Sequence, residues 1–137
     1  MKTGILAELE IQLYMSKLGV MVSIPYGDCA RYDQIWDVDG KLLRIQIKTA
    51  KLLEDESGII FSGRNTSGKY TKEQIDGIAT FYNGKCYLVP ADECSNEIKL
   101  RFTMPKNSQI ETTKFAYDYE VNRILNIKQN EHGMDLY

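Results

Sequence analysis

Two short runs on either side of Asp39-Gly40 carry three side chains whose types and spacing could form a metal site. An Asp-Gly pair between runs of alternating apolar residues predicts a two-residue type I′ turn, because both central residues of that turn need positive φ. The resulting register places Asp33 opposite Gln46 on one face, with Cβ atoms about 5 Å apart, and Lys48 as the diagonal neighbour at roughly 7–8 Å. A carboxylate, a carbonyl-bearing amide and an ammonium group therefore converge.

The other face of this predicted hairpin is apolar and suited to pack beneath a helix. Its members are Trp36, Val38, Leu43, Ile45 and Ile47. The alternative is an ordinary half-buried hairpin, in which the polar residues point outward because that face is wet. Support for a chemical site therefore has to come from the rest of the chain.

Length and charge restrict the class of protein. A chain of 137 residues suits a single domain with one sizeable core. Apolar residues make up 43% and charged residues 26%, which are ordinary globular values and argue against wholesale disorder. The formal net charge of −2 does not indicate a nucleic-acid binder, so any such function has to rest on a local basic surface.

The cysteine and histidine content argues against two other classes. Cys29, Cys86 and Cys94 are odd in number and lack CxxC spacing, and the lone His132 lies near the end of the chain, so neither a disulfide scaffold nor a zinc site is expected. No segment approaches the roughly 20 apolar residues that span a bilayer. We therefore expect a cytoplasmic protein that does not bind membranes.

A helix is predicted from about Ile5 to Leu18, because Ile5, Leu9 and Leu13 recur at i, i+4 and i+8. Gly19 then ends it. Glu8 lies at the margin of this stripe, which we expect to face the core, so its carboxylate is expected to point toward the sheet. Alternatively it reaches solvent, as charges at stripe margins commonly do.

Further elements follow on both sides of the hairpin. We predict strands at 20–25, 59–61, 78–82, 85–89 and 98–103, a short helix at 72–75 capped by Thr71, and a late helix from about Thr113. Asn83-Gly84 predicts a second type I′ turn. The order indicates an α/β or α+β domain, a central mixed β-sheet flanked by helices, over residues 1–127, with a flexible C-terminal tail over 128–137.

From these residues the chain resembles the PD-(D/E)XK nuclease superfamily, and within it the group I intron-associated homing endonuclease branch. The resemblance implies a restriction-endonuclease-like core and covers the chain from Met1 to about Ile127. It rests on Glu8, the run from Gly27 to Asp33, the run from Ile45 to Ala50, Tyr70-Thr71 with Asp76, Tyr87 to Pro90, and Leu100-Arg101-Phe102 ahead of Pro105-Lys106-Asn107. The main departure is Gln46, where Asp or Glu is usual, but this glutamine occurs in the homing branch.

The resemblance implies hydrolysis of a phosphodiester bond with Mg²⁺, for which Mn²⁺ could substitute. Mg²⁺ prefers octahedral oxygen ligands and keeps several waters, so one carboxylate with neutral carbonyl oxygens can hold it. Asp33 would be the primary ligand, with the Gln46 amide oxygen, the Ile47 backbone carbonyl, and Glu8 directly or through water. Lys48 would orient the attacking water or neutralise developing charge. Its alternative role is an ion pair with Asp33 or Glu8.

The implied partner is double-stranded DNA, and the expected assembly is a homodimer or homotetramer. Six residues are candidates for contacting DNA: Arg31, Arg64, Asn65, Lys69 and Tyr70, with Arg44 further along the polar hairpin face. Ordinary surface solvation explains any one of them equally well.

Two alternatives remain beside a homing enzyme. A structure-selective nuclease resembling archaeal Holliday junction resolvases would share the early glutamate and the run Arg31-Tyr32-Asp33, although those enzymes normally have Glu at the position of Gln46. A non-catalytic DNA-binding module with a relic site would bind DNA without cleaving it.

Overall fold

A computed structural model describes residues 3–27, 29–105 and 112–127. Its elements, in chain order, are helix α1 (Thr3–Lys17), strands β1 (Met21–Ser23), β2 (Gln34–Val38), β3 (Lys41–Ile47), β4 (Lys51–Leu52), β5 (Gly58–Ser62), β6 (Arg64–Asn65), β7 (Gly68–Lys69), β8 (Gly77–Tyr82), β9 (Lys85–Pro90), a 3₁₀ turn (Ala91–Glu93), β10 (Glu97–Arg101), a second 3₁₀ turn (Ala116–Tyr119) and helix α2 (Val121–Ile124).

The main sheet is mixed, as predicted. Its five strands have the order β1-β2-β3-β8-β9. The pairing of β3 with β8 is parallel, whereas the other neighbouring strands are antiparallel. A second sheet has the order β10-β5-β4, and β6 and β7 form a separate small hairpin.

The paired residues of the β2–β3 hairpin have the predicted register, but the pairing ends one step before the predicted pair of Asp33 and Gln46. The pairs run from Val38 opposite Lys41 to Gln34 opposite Ile45. The turn residues Asp39 and Gly40 have φ values of 53° and 87°, as a type I′ turn requires. The second predicted turn is confirmed in the same way, since Asn83 and Gly84 have φ values of 49° and 81°.

Helix α1 covers the apolar face of this hairpin, but with a different stripe from the predicted one. Ala7, Ile11 and Met15 are buried in a cluster with Trp36, Leu43, Ile45 and Ile47. The predicted stripe was wrong: Ile5, Leu9 and Leu13 are 49%, 47% and 57% exposed. Both stripes have i, i+4, i+8 spacing, so periodicity could not distinguish them, and the small Ala7 lets the helix approach the sheet closely.

A second apolar cluster lies between the main sheet and the three-stranded sheet. Its aliphatic members include Ile59, Ile75, Ile78, Val89, Ile98 and Leu100. β8 contributes to both clusters, because Ile78 belongs to the second and Ala79 to the first. The main sheet is thus buried on both faces around β8, which holds β3 at a fixed position.

Of the two later helices that were predicted, the first is only a turn and the second is shorter than expected. Residues 72–75 form a single turn in which the N–H of Ile75 donates to the Thr71 carbonyl at 3.1 Å. In place of a late helix from Thr113, the chain has the second 3₁₀ turn and the four-residue α2. The predicted tail, 128–137, lies outside the described residues. No helix in the described part of the chain is long and apolar enough to cross a membrane.

Candidate active site

Asp33 lies immediately before β2 and is fixed by two backbone contacts from β3. Its N–H donates to the Ile45 carbonyl at 2.8 Å, and its Oδ2 accepts the N–H of Ile47 at 2.9 Å. The carboxylate therefore replaces a backbone carbonyl where the regular pairing of the two strands ends. No described residue donates to its Oδ1, which leaves one carboxylate oxygen available for a ligand.

The Ile47 carbonyl is directed toward the same side as Asp33. Lys48 donates its N–H to the Ala79 carbonyl of β8 at 3.0 Å, and successive residues of a strand turn their backbone groups to opposite neighbours. The N–H and carbonyl of Ile47 are consequently turned toward β2. This places the predicted backbone ligand beside the predicted carboxylate ligand.

Glu8 is held near Asp33 by an amide that sequence reasoning did not select. Gln34 is fully buried, and its Nε2 donates to the Glu8 backbone carbonyl at 2.8 Å. Its Oε1 accepts the Trp36 Nε1–H at 3.0 Å. The amide thus ties the middle of α1 to the start of β2. The sequence did contain a signal for Gln34. It is a polar residue two positions before Trp36, so it lies on the face of the hairpin that was predicted to be apolar.

The electrostatics of Asp33 and Glu8 indicate that they share a site. Burial raises the pKa of Asp33 above its ordinary value, although the Ile47 N–H and the charge of Lys48 oppose the shift. Burial also raises the pKa of Glu8, and the negative charge of Asp33 adds to it. Because each carboxylate is destabilised when charged, a bound cation would stabilise both.

Gln46 and Lys48 are the other two side chains of the predicted site. Neither is hydrogen-bonded or ion-paired to Asp33 or Glu8. The partly buried Gln46 side chain makes no hydrogen bond to any described residue. Lys48 forms no ion pair within the described part of the chain, where the pairs are Arg44–Asp76 and Lys85–Glu120. The alternative role for Lys48, an ion pair with Asp33 or Glu8, is therefore not observed.

The donors at this site are carboxylates and neutral oxygens. Over residues 3–27, 29–105 and 112–127, no three His, Cys, Asp or Glu side chains cluster as metal ligands. The three cysteines are all free. Two carboxylates with a nearby amide oxygen and a backbone carbonyl suit a hard cation such as Mg²⁺ rather than zinc.

The small β6–β7 hairpin carries two of the predicted DNA-contacting cations. Arg64 pairs with Lys69 across the two strands, and both are exposed. Asn65 shapes the turn, because its Oδ1 accepts the Ser67 N–H at 2.8 Å. Tyr70 follows directly and brings its ring to within 5.4 Å of the Lys48 ammonium nitrogen. The hairpin is therefore connected to the site through Tyr70.

Of the remaining predicted DNA contacts, Arg31 forms no hydrogen bond or ion pair with a described residue, whereas Arg44 is engaged. Arg31 is exposed, and its charge lowers the pKa of Tyr70 against the larger raising effect of burial. Arg44 donates from Nε to Asp76 Oδ2 at 3.1 Å, and from its terminal nitrogens to the carbonyls of Glu73 and Lys72 at 2.8 and 3.0 Å. Arg44 thus fastens the turn before β8 to β3.

Backbone groups of Arg44 and Asp76 also bind the two residues to each other. The Arg44 N–H donates to Asp76 Oδ2 at 2.7 Å, and the Asp76 N–H donates to the Arg44 carbonyl at 2.8 Å. Burial alone would raise the pKa of Asp76, but the hydrogen bonds and charge of Arg44, with help from Lys41, outweigh it and lower that pKa. Asp76 was noted in the sequence, but not as the partner of Arg44.

Comparison with known proteins agrees with this arrangement. The sequence profile of the PD-(D/E)XK endonuclease family matches residues 1–122. Among curated proteins no sequence matches the chain. The fold is similar to the solved structure of a bacterial homing endonuclease, I-Ssp6803I, with a TM-score of 0.68 and 22% identity, over 98% of this chain and 95% of that chain. The predicted restriction-endonuclease-like fold is confirmed, and because the profile spans most of its length, the chain belongs to the PD-(D/E)XK endonuclease family.

Proposed function

We propose that this protein is a Mg²⁺-dependent endonuclease that hydrolyses phosphodiester bonds in double-stranded DNA, most like an intron-associated, site-specific homing enzyme. The observation that carries the proposal is the fixed Asp33 carboxylate, which accepts the Ile47 N–H at 2.9 Å while no described residue donates to its other oxygen. Family membership supports a nuclease, and the fold shared with a bacterial homing endonuclease supports the homing branch.

The residues present fit a Mg²⁺ ion. Asp33 would be the primary ligand, the Ile47 carbonyl and the Gln46 amide oxygen would be neutral ligands, and Glu8 would bind directly or through a water. Two carboxylates with raised pKa values gain from a nearby cation. When bound, the ion would activate a water and stabilise negative charge on the non-bridging phosphate oxygens.

Lys48 would act on the attacking water or on the developing charge of the phosphate. Its ammonium has no anionic partner among the described residues, so it is available to an incoming phosphate. A positioned cation next to a reacting phosphate stabilises the transition state more than the ground state, because charge develops there during the reaction.

The β6–β7 hairpin is the best-supported DNA contact. Like charges directly opposed across two strands are destabilising, and Arg64 and Lys69 are opposed in this way without an acidic partner among the described residues. A phosphate between them would remove the repulsion. With Asn65 and Arg31, they would hold the DNA backbone near the site.

The outer face of α1 supports a homodimer as the minimal assembly. Ile5, Leu6, Leu9 and Leu13 are all about half exposed on one helix, and a helix that is apolar on both faces is normally covered on both. A second copy is the proposed occupant, because a two-fold axis would present one site to each antiparallel DNA strand. Two such dimers would form the tetramer.

The assembly is tested by light scattering of the purified protein and of Leu9→Asp and Leu13→Asp variants. We expect a dimer or tetramer that dissociates in both variants, with nicking retained better than double-strand cleavage. Leu52→Asp is the matched control, because Leu52 is 39% exposed on another sheet. A monomeric wild-type protein would contradict the proposed assembly.

Cleavage is tested by incubating the protein with a mixed plasmid and genomic DNA library in Mg²⁺ or Mn²⁺ and mapping the new ends. We expect ends at a recurrent sequence, no cleavage by Asp33→Ala, and a strongly reduced but measurable rate for Lys48→Ala. Cleavage governed by four-way junction geometry would favour the resolvase alternative. DNA binding with no nicking under any of these conditions would leave a module with a relic site.

A further inference from the structure

Tyr70 occupies an unusual position between the DNA-facing hairpin and the predicted catalytic lysine. Its N–H donates to the Gly63 carbonyl at 3.3 Å, and its side chain is 5% exposed within the second apolar cluster. The Lys48 Nζ lies 5.4 Å from the centroid of its ring. This distance is within the roughly 6 Å over which an ammonium is attracted to an aromatic face.

Lys48 forms no ion pair with a described residue, although it lies close enough to Asp33 for its charge to lower the pKa of that carboxyl. Gln46, two residues earlier, is neutral. A lysine side chain has four rotatable bonds, so its ammonium is poorly fixed without a partner. Among the described residues, the ring of Tyr70 lies directly against this ammonium, at 5.4 Å from centroid to nitrogen.

We propose that Tyr70 is a positioning residue whose ring face holds the Lys48 ammonium beside Asp33 and Gln46. This inference deepens the proposed nuclease function and rests on it. It also differs from the expectation that Tyr70 contacts DNA, because a ring that is 5% exposed has little surface to stack on a base.

Three variants separate this role from a general contribution to the core. Tyr70→Phe keeps the ring face and should behave like the wild type, whereas Tyr70→Leu removes it. Tyr87→Leu is the matched control, since Tyr87 is 4% exposed in the same apolar cluster. Thermal melts establish that each variant is folded at the assay temperature.

We expect Tyr70→Leu to lower kcat by roughly 5- to 30-fold, the range between an exposed and a desolvated cation–π contact. KM and DNA affinity should stay near the wild-type values, and Tyr70→Phe should restore kcat. In a Lys48→Met background, Tyr70→Leu should lower the remaining rate no further, because the group that it positions is already absent.

A second readout needs no cleavage. In protein labelled at lysine, the ε-methylene protons of Lys48, assigned with Lys48→Met, should resonate upfield in the wild type and in Tyr70→Phe because they lie over a ring. Tyr70→Leu should remove that shift, and Tyr87→Leu should keep it. If the wild type cleaves no DNA, the proposed function fails, while this measurement still decides whether Tyr70 holds Lys48.

The inference is overturned by any of three results. The first is a Lys48 resonance unaffected by Tyr70→Leu. The second is an equal loss of kcat in Tyr70→Leu and Tyr87→Leu when both are folded. The third is that Tyr70→Leu lowers the cleavage rate of the Lys48→Met variant by the same factor as it lowers the wild-type rate. Each of these outcomes leaves the proposed endonuclease activity itself intact.

Discussion

The N–H of Ile47 donates to Asp33 Oδ2 at 2.9 Å, so one residue of β3 both fixes the predicted carboxylate ligand and turns its own carbonyl toward it. Strand pairing would ordinarily satisfy this N–H with a backbone carbonyl of β2. Here the Asp33 side chain, and not a backbone carbonyl, accepts this last hydrogen bond between the two strands. The site is therefore built into the edge of the hairpin, and its geometry does not depend on a flexible loop.

Asp33→Asn is expected to abolish cleavage while stabilising the protein at pH 7. Burial raises the pKa of Asp33, and a carboxyl whose pKa is raised on folding loses its favourable contribution to stability as pH rises through that folded value. An asparagine side chain does not ionise, so the variant loses no stability in this way as pH rises. Its amide oxygen can still accept the Ile47 N–H. Melting curves without metal should show a higher Tm for the variant at pH 7.

The same curves provide the control for this prediction. The difference in Tm should shrink toward zero below the ordinary aspartate pKa of about 4, where the wild-type carboxyl is protonated in both states. A variant that melts below the wild type at pH 7 would show that the charged carboxylate stabilises the metal-free fold, contrary to expectation.

Gln46→Glu is expected to lower the Mg²⁺ concentration needed for half-maximal cleavage by several-fold. An additional carboxylate strengthens binding of a hard cation, but without metal it adds repulsion to Asp33 and Glu8. The metal-free variant should therefore be less stable than the wild type. Metal titration by calorimetry and melting curves with a chelator measure the two effects separately, and an unchanged metal requirement would remove Gln46 from the ligand set.

Arg44→Ala and Asp76→Ala are each expected to lower the free energy of unfolding at pH 7 by about 1–2 kcal/mol. Charged hydrogen bonds are lost, but both side chains are 34% exposed, so the cost is below that of a buried pair. The lowered pKa of Asp76 means that this stabilisation is present above its unfolded pKa and lost as pH falls through the folded value.

DNA affinity distinguishes the two roles of Arg44. If it acts mainly through Asp76, both alanine variants should weaken DNA binding to the same small extent, as measured by fluorescence anisotropy. A larger loss for Arg44→Ala alone would instead support the original prediction that Arg44 contacts DNA. Denaturant titrations of both variants show whether their stability losses match.

Arg64→Ala and Lys69→Ala are expected to weaken binding to all DNA sequences and to reduce the salt dependence of binding by about one counterion each. Each should leave the free protein as stable as the wild type or slightly more so, because two opposed cations no longer repel. Lys41→Ala is a charge-matched control, since Lys41 pairs with Val38 beside the turn, at the opposite end of the hairpin from Gln34 and Asp33.

The sequence by itself determined the β2–β3 hairpin. Asp39-Gly40 sets the turn, and the pairing from Val38 opposite Lys41 to Gln34 opposite Ile45 follows from it. These are local consequences of backbone geometry, which explains why they could be predicted without knowing what packs around them.

Tertiary packing decided what local patterns left open. Two stripes on α1 have the same period, and only contact with the sheet selects Ala7, Ile11 and Met15 for the core. The buried amide of Gln34, which holds the Glu8 carbonyl, bridges residues 26 positions apart. The ring of Tyr70, buried in the second apolar cluster, meets Lys48 although the two residues are far apart in the sequence. Such contacts depend on which distant surfaces fit together, and periodicity within one segment carries no information about them.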